Sequence, residues 1–194
     1  MQDLMRAAEA ALATKTAKET KIREIAAAAG THEAMIHYYF GGKDGLMVAL
    51  FQDVMKDAPH TRYKVIAQAC IEQKSIKPLV KQLVKFFYSR PNLIRMTIAE
   101  MIAGSSKVKS AYRDRYSEAT PKLIEYVLTS MIEFKIYGQD INVDFVGMSI
   151  TGMVVAPLLP PAEALEMLHK FDNPEWIDYI AQTIDRSLKP RPWN

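Results

Sequence analysis

The stretch from Thr20 to Leu46, TKIREIAAAAGTHEAMIHYYFGGKDGL, constrains the fold more than any other part of the chain. Apolar residues recur at helical spacing on both sides of Gly30: Ile22, Ile25 and Ala26 before it, Met35, Ile36 and Tyr39-Phe40 after it. That spacing predicts two short amphipathic helices joined by a tight turn. Ala26, Gly30 and Ile36 fall at offsets of four and six residues, the arrangement a helix-turn-helix needs. The small residue lets the helices cross closely, and the branched aliphatic closes a small core. The glycine takes the left-handed turn conformation at little steric cost. In such a motif the second helix lies in the DNA major groove and the first crosses the backbone. The same pattern also fits an ordinary helical hairpin, since alanine-rich amphipathic pairs ending in glycine are common.

Helical period continues on both sides. Leu4, Ala8, Ala11 and Leu12 form the inner stripe of a first helix, and Thr14 to Glu19 make a polar loop. Lys43 to Asp57 reads as a fourth helix with Leu46, Leu50 and Val54 on one face and Met47, Phe51 and Met55 on another. Two apolar faces suit a helix packed on two sides. Beyond Pro59 come helices carrying Val65 to Cys70, then Ile76 to Phe87, then Leu93 to Ile102 opened by Pro91. Proline suits a first helical position because its missing N–H has no partner there. Pro121 predicts a break near Ser117-Thr120 and a fresh helix to Gly138, since proline cannot sit unperturbed in a helix interior. Asn142 caps the next helix, through Ala156, and Pro157, Pro160 and Pro161 make a rigid corner. A short helix through His169 and a last one, capped by Asn173, end near Leu188. No alternating pattern of useful length marks a strand. The expected fold is all-α.

The motif residues carry a resemblance. Ala7-Ala8, Thr20, Ile25-Ala26-Ala27-Ala28-Ala29-Gly30, Tyr38-Tyr39-Phe40, Lys43 and Leu46 together resemble the N-terminal domain of tetracycline-repressor-type (TetR-family) transcriptional regulators. The likeness spans roughly the first 50 residues, and the remainder matches only in being helical and of the usual length. Two places depart from the pattern: Thr31-His32 stand where the family usually has Val-Ser, and His37 where it usually has tyrosine. Thr31 is expected to take over as cap of the recognition helix, threonine being a good one. The resemblance implies a three-helix DNA-binding domain over 1–48 and a helical ligand-binding and dimerisation domain over 49–194. It also implies Thr20 and Lys43 on phosphates and Thr31, His32, Glu33, Ala34, His37 and Tyr38 toward the groove.

Charge adds little to that reading. The net charge is +3, and six cations are matched by six anions in residues 1–48, where a nucleic-acid domain often shows an excess. Position says more, because Lys15, Lys18 and Lys21 cluster in one loop that can neutralise phosphates.

The segment from Val143 to Ala156 is apolar nearly all round, and Gly147, Ser149 and Gly152 permit close helix approach. With Leu123, Val127, Leu128, Met131 and Ile132 on the helix before it, it fits a four-helix dimer interface built from residues 121–137 and 143–156. A central helix of a monomeric bundle has the same pattern. By the resemblance the chain is a homodimer that reads a near-palindromic operator in double-stranded DNA and responds to a small, largely apolar ligand. Phe87, Met96, Met101, Tyr112, Tyr116 and Phe134 are the candidate ligand contacts, although methionines and aromatics at this spacing also build plain core.

Other classes find less support. His32, His37, His60 and His169 show no metal-binding spacing, no phosphate-binding glycine loop occurs, and Cys70 sits on an apolar helix face. No cofactor, no metal and no catalytic group is expected, and the chain does not read as an enzyme. One cysteine excludes an intrachain disulfide, and neither a signal peptide nor a membrane span is expected, so the reading is cytoplasmic. The other function the residues allow is a helical dimeric module that binds a ligand or protein, its DNA head weak or vestigial.

Overall fold

The structure is a computed structural model and describes residues 1–103, 106–115, 119–159, 171 and 173–189. Eleven α-helices run through them: α1 (Gln2–Leu12), α2 (Ile22–Ala28), α3 (Glu33–Phe40), α4 (Lys43–Met55), α5 (Tyr63–Gln73), α6 (Lys77–Ser89), α7 (Pro91–Ala103), α8 (Ser106–Arg115), α9 (Ala119–Glu133), α10 (Val143–Val155) and α11 (Pro174–Leu188). No strand occurs among the described residues. Two compact units result: residues 1–58 with 90–117, and residues 59–89 with 118–194. The chain therefore leaves the N-terminal unit after α4 and returns to it for α7 and α8.

In the N-terminal unit α1 buries Leu4, Ala8 and Leu12, the stripe its sequence displays. Both apolar faces of α4 are covered, with Leu46, Met47, Leu50, Phe51, Val54 and Met55 all buried. Part of that cover comes from α8, whose Tyr112 ring stands 5.9 Å from the ring of Phe51.

The second unit buries Leu79, Val80, Leu83 and Val84 of α6 against the inner residues of its neighbours. Those neighbours are α5, α10 and α11, while α9 buries Leu123, Val127, Leu128 and Met131 and packs on α5 and α10. Asn142 and Asn173 cap α10 and α11 as expected, each accepting a backbone N–H three residues on. Pro121 lies in the first turn of α9, where the N–H it lacks would have no helical partner. That helix was expected to reach Gly138 and stops at Glu133 instead. Lys135 takes the left-handed conformation at φ 57°, and the N–H groups of Lys135 and Ile136 turn back to the carbonyls of Ile132 and Met131. Val65, read with Ile66 in the helical pattern of this segment, is exposed. Tyr116, Pro160, Pro161 and the short helix through His169 lie outside the described residues.

A buried polar cluster holds this unit together. The Asp185 carboxylate on α11 accepts hydrogen bonds from Ser75 Oγ at 2.6 Å, from Ile76 N at 3.0 Å and from Tyr137 Oη at 2.5 Å. Burial pushes the Cys70 thiol up to about 12, and burial and then the Asp185 carboxylate raise the Tyr137 phenol above its ordinary value. Both groups hold their protons more tightly folded than unfolded. Their stabilisation is complete below the ordinary thiol and phenol values and is lost as pH rises through the raised ones. The thermal midpoint should therefore fall steadily above about pH 9, and Cys70→Ala should flatten the part of that fall due to the thiol. A midpoint constant to pH 11 would contradict this assignment.

Candidate nucleic-acid interface

The turn between α2 and α3 forms as the glycine requires. Gly30 adopts φ 66°, its N–H bonds to the Ala27 carbonyl at 3.0 Å, and the Thr31 N–H reaches the Ala26 carbonyl at 2.9 Å. This pair of bonds closes the helix end with a left-handed residue. Of the small core expected from Ile25, Ala26, Ile36, Phe40 and Leu46, all but Phe40 are buried beneath it, and Phe40 is half-buried. The turn also displaces the expected cap. Thr31 is spent on α2, His32 occupies the cap position of α3, and no side chain caps that helix.

On α3 the outward residues form one face. His32, Glu33, Ala34, His37 and Tyr38 are exposed and Thr31 is half-buried, while Ile36 alone is fully inside. Tyr38 keeps 79% of its surface, the largest fraction of any tyrosine described, and its ring meets that of Tyr39 edge-on at 5.1 Å. Gly41 and Gly42 then turn the chain with positive φ, and the His37 ring lies over this turn, 3.6 Å from where a Gly42 Cβ would stand. The sequence reading passed over Tyr39, although it is 45% exposed. Its period placed it with Phe40 on the apolar side.

The expected phosphate contacts divide. Thr20 is buried completely, and its hydroxyl donates to the Thr16 carbonyl at 2.8 Å, so it shapes the loop and offers nothing to a phosphate. Lys43 is half-buried and donates to the Lys18 carbonyl at 3.2 Å, which ties the start of α4 to the loop before α2. Lys15 pairs with Glu24 at 2.7 Å, and its hydrogen bond holds that carboxyl below the usual range. Lys18, Lys21 and Arg23 remain exposed beside them.

The ligand candidates do not gather in one unit. Met96 is buried and Met101 and Tyr112 half-buried in the N-terminal unit, whereas Phe87 is half-buried and Phe134 is 63% exposed in the other. The second unit carries instead an open cleft of about 440 Å³ between α9 and α10. Pro121, Ile124, Glu125, Val143, Gly147 and Met148 line most of it. Sequence pattern did not show this cleft, because its walls come from two helices whose facing is set in three dimensions. No group of three metal-binding side chains occurs among the described residues, and none of their helices is long and apolar enough to cross a membrane.

A helix-turn-helix with an exposed second helix, in a chain whose other unit is helical and free of strands among the described residues, is the architecture of a DNA-binding transcriptional regulator. Residues 4–50 match the family model of bacterial regulatory proteins of the tetR family. Solved structures agree in fold along nearly the whole length. A Clostridium perfringens protein assigned to regulation of fatty acid metabolism is 18% identical with a TM-score of 0.72, covering 97% of this chain and 100% of its own. NalD of Pseudomonas aeruginosa, the secondary repressor of the MexAB-OprM multidrug efflux pump, is 15% identical with a TM-score of 0.67, over 99% and 97%. The hemolysin II transcriptional regulator HlyIIR is 17% identical with a TM-score of 0.63, over 98% and 97%. No curated protein sequence matches the chain.

Proposed function

We propose that the chain is a ligand-responsive repressor that binds a near-palindromic operator as a homodimer. The exposed face of α3 is the observation that carries this reading. Residues 1–48 serve as the DNA head, with Thr31, His32, Glu33, Ala34, His37 and Tyr38 toward the groove and Lys43 near phosphate. Side chains that reach base edges specify sequence, while phosphate contacts only position the protein. Dimerisation through the helices of 121–137 and 143–156 is supported by α10, which leaves Phe145 70% and Met148 75% exposed in the single chain. Two recognition helices roughly one helical turn of DNA apart then read the two half-sites.

Residues 49–194 supply the ligand-binding and dimerisation functions. Structural neighbours named for fatty acid metabolism and for a multidrug pump are in keeping with a small, largely apolar ligand. A ligand that favours one separation of the two heads would change operator affinity by a coupling of about 1–3 kcal/mol.

Selection of random duplex DNA on the purified protein at two salt concentrations tests the reading. A near-palindrome bound by a dimer supports it, and weak, sequence-blind binding overturns it. That second result would favour the dimeric binding module, for which the balanced charge of residues 1–48 and the internal engagement of Lys15 and Lys43 speak. Within the repressor reading, Lys43→Ala should weaken operator binding about tenfold and nearly uniformly across sequences, with the salt slope reduced by about one. A changed base preference in the selected site would contradict its phosphate role.

A further inference from the structure

Gly45 stands in the first turn of α4, where a side chain has no room. A Cβ added to it would lie 1.6 Å from the carbonyl oxygen of Phe40, the last residue of α3, and 2.8 Å from the carbon of that carbonyl. Those two distances differ by the length of a C=O bond, about 1.2 Å, so the carbonyl points straight at the position. The hydrogen that glycine carries in place of Cβ faces the oxygen as a weak donor. Among the described glycines no other would set a Cβ within 3.0 Å of backbone.

The conformation of Gly45 does not itself call for glycine, since positive φ occurs at Gly30, Gly41 and Gly42 and not here. Glycine weakens a helix relative to alanine, so its use at this point goes with the close approach. That approach joins two helix ends. Carbonyls of the last turn of α3 carry the negative end of its dipole, and the first turn of α4 carries the positive end of its own. Gly41 and Gly42 make the connection, with the Gly41 N–H on the His37 carbonyl at 2.9 Å and the His37 ring over Gly42. The α4 side of the contact is anchored by six buried apolar residues.

We propose that Gly45 is a positioning residue for DNA recognition. By admitting the Phe40 carbonyl it sets how closely α3 seats on α4, and thereby where His37 and Tyr38 stand toward the groove. A side chain at this position displaces the end of α3 by about an ångström or more. Hydrogen bonds to base edges tolerate only a few tenths of an ångström, so a shift of that size changes which bases are read. This rests on the DNA-binding reading above, with α3 as the recognition helix.

Selection of random duplexes on the parent protein and on Gly45→Ala tests it. The variant should bind the parent's duplex about tenfold or more weakly, the loss of roughly one base contact, and should select a site that differs within each half. Gly41→Asn keeps a left-handed turn residue in open space and should bind and select as the parent does. A merely structural role for Gly45 would lower the melting temperature and leave the selected sequence unchanged, which overturns the proposal. An equal change of preference in Gly41→Asn would put the effect in the turn and overturns it too. Should Gly45→Ala fail to fold, glycine-labelled parent protein decides by nuclear magnetic resonance. One Gly45 Hα should lie downfield of the other, free and in the duplex complex alike, and an offset that is absent or lost on binding overturns the proposal. Failure of the parent protein to bind any duplex overturns the DNA-binding reading, and the role of Gly45 with it.

Discussion

Asp185→Ala is expected to destabilise the unit of residues 59–89 and 118–194 by about 3–5 kcal/mol, the range for removing one member of a buried charged network. The carboxylate accepts from Ser75 Oγ, Ile76 N and Tyr137 Oη, and alanine leaves all three donors facing a low-dielectric gap. Each unsatisfied buried donor costs about 1–3 kcal/mol. The loss is also structural. Asp185 ties α11 to the α5–α6 turn and to the segment after α9, where Gly138 N donates to the Leu188 carbonyl. Urea denaturation checks this, and Tyr137→Phe should cost less, because it removes one donor and strands nothing. In a double-mutant cycle the two substitutions should be strongly non-additive. A loss below about 1 kcal/mol for Asp185→Ala would mean that water replaces the carboxylate.

Met148→Glu is expected to make the protein monomeric and to weaken operator binding about a hundredfold or more. Phe145 and Met148 lie three residues apart on α10, and both stand out of the single chain. Gly147 lies beside them, where an added Cβ would stand 3.4 Å from Ile124 Cγ2, so α10 runs close to α9 there. In a two-fold interface each substitution occurs twice, so one glutamate per chain sets two like charges near one another in a desolvated patch, at a cost of several kcal/mol. Every 1.4 kcal/mol is a factor of ten in affinity. Sedimentation and operator titration of the same sample separate the two effects. A variant that stays dimeric with full affinity would place the interface on another surface.

The two substitutions differ in how far sequence could foresee them. Helical period and small residues in Val143 to Ala156 already mark α10 as apolar nearly all round, and the exposed Phe145 and Met148 show that the single chain leaves part of it uncovered. Nothing comparable marks Asp185, an ordinary acid on an amphipathic helix until Ser75 and Tyr137 meet it across 110 and 48 residues. Nothing marks Arg90 either, whose partners Glu9 and Asp53 stand 81 and 37 residues away in the chain.

Local chemistry is legible in sequence because it depends on residues within one or two turns. Gly30 must take positive φ, Asn142 and Asn173 must cap, Pro91 must open a helix, and Ile25, Ala26 and Ile36 must close a small core. These made the helix-turn-helix and the all-α class readable from the chain alone. Assignments that depend on where two distant surfaces meet were decided by the tertiary structure. Thr20 turned inward to the Thr16 carbonyl, the turn took Thr31 for α2 and left α3 without a side-chain cap, and the ligand candidates fell into two separate units. Helix period tells which face of a helix is apolar, and long-range packing chooses what that face, or a lone charge upon it, will touch.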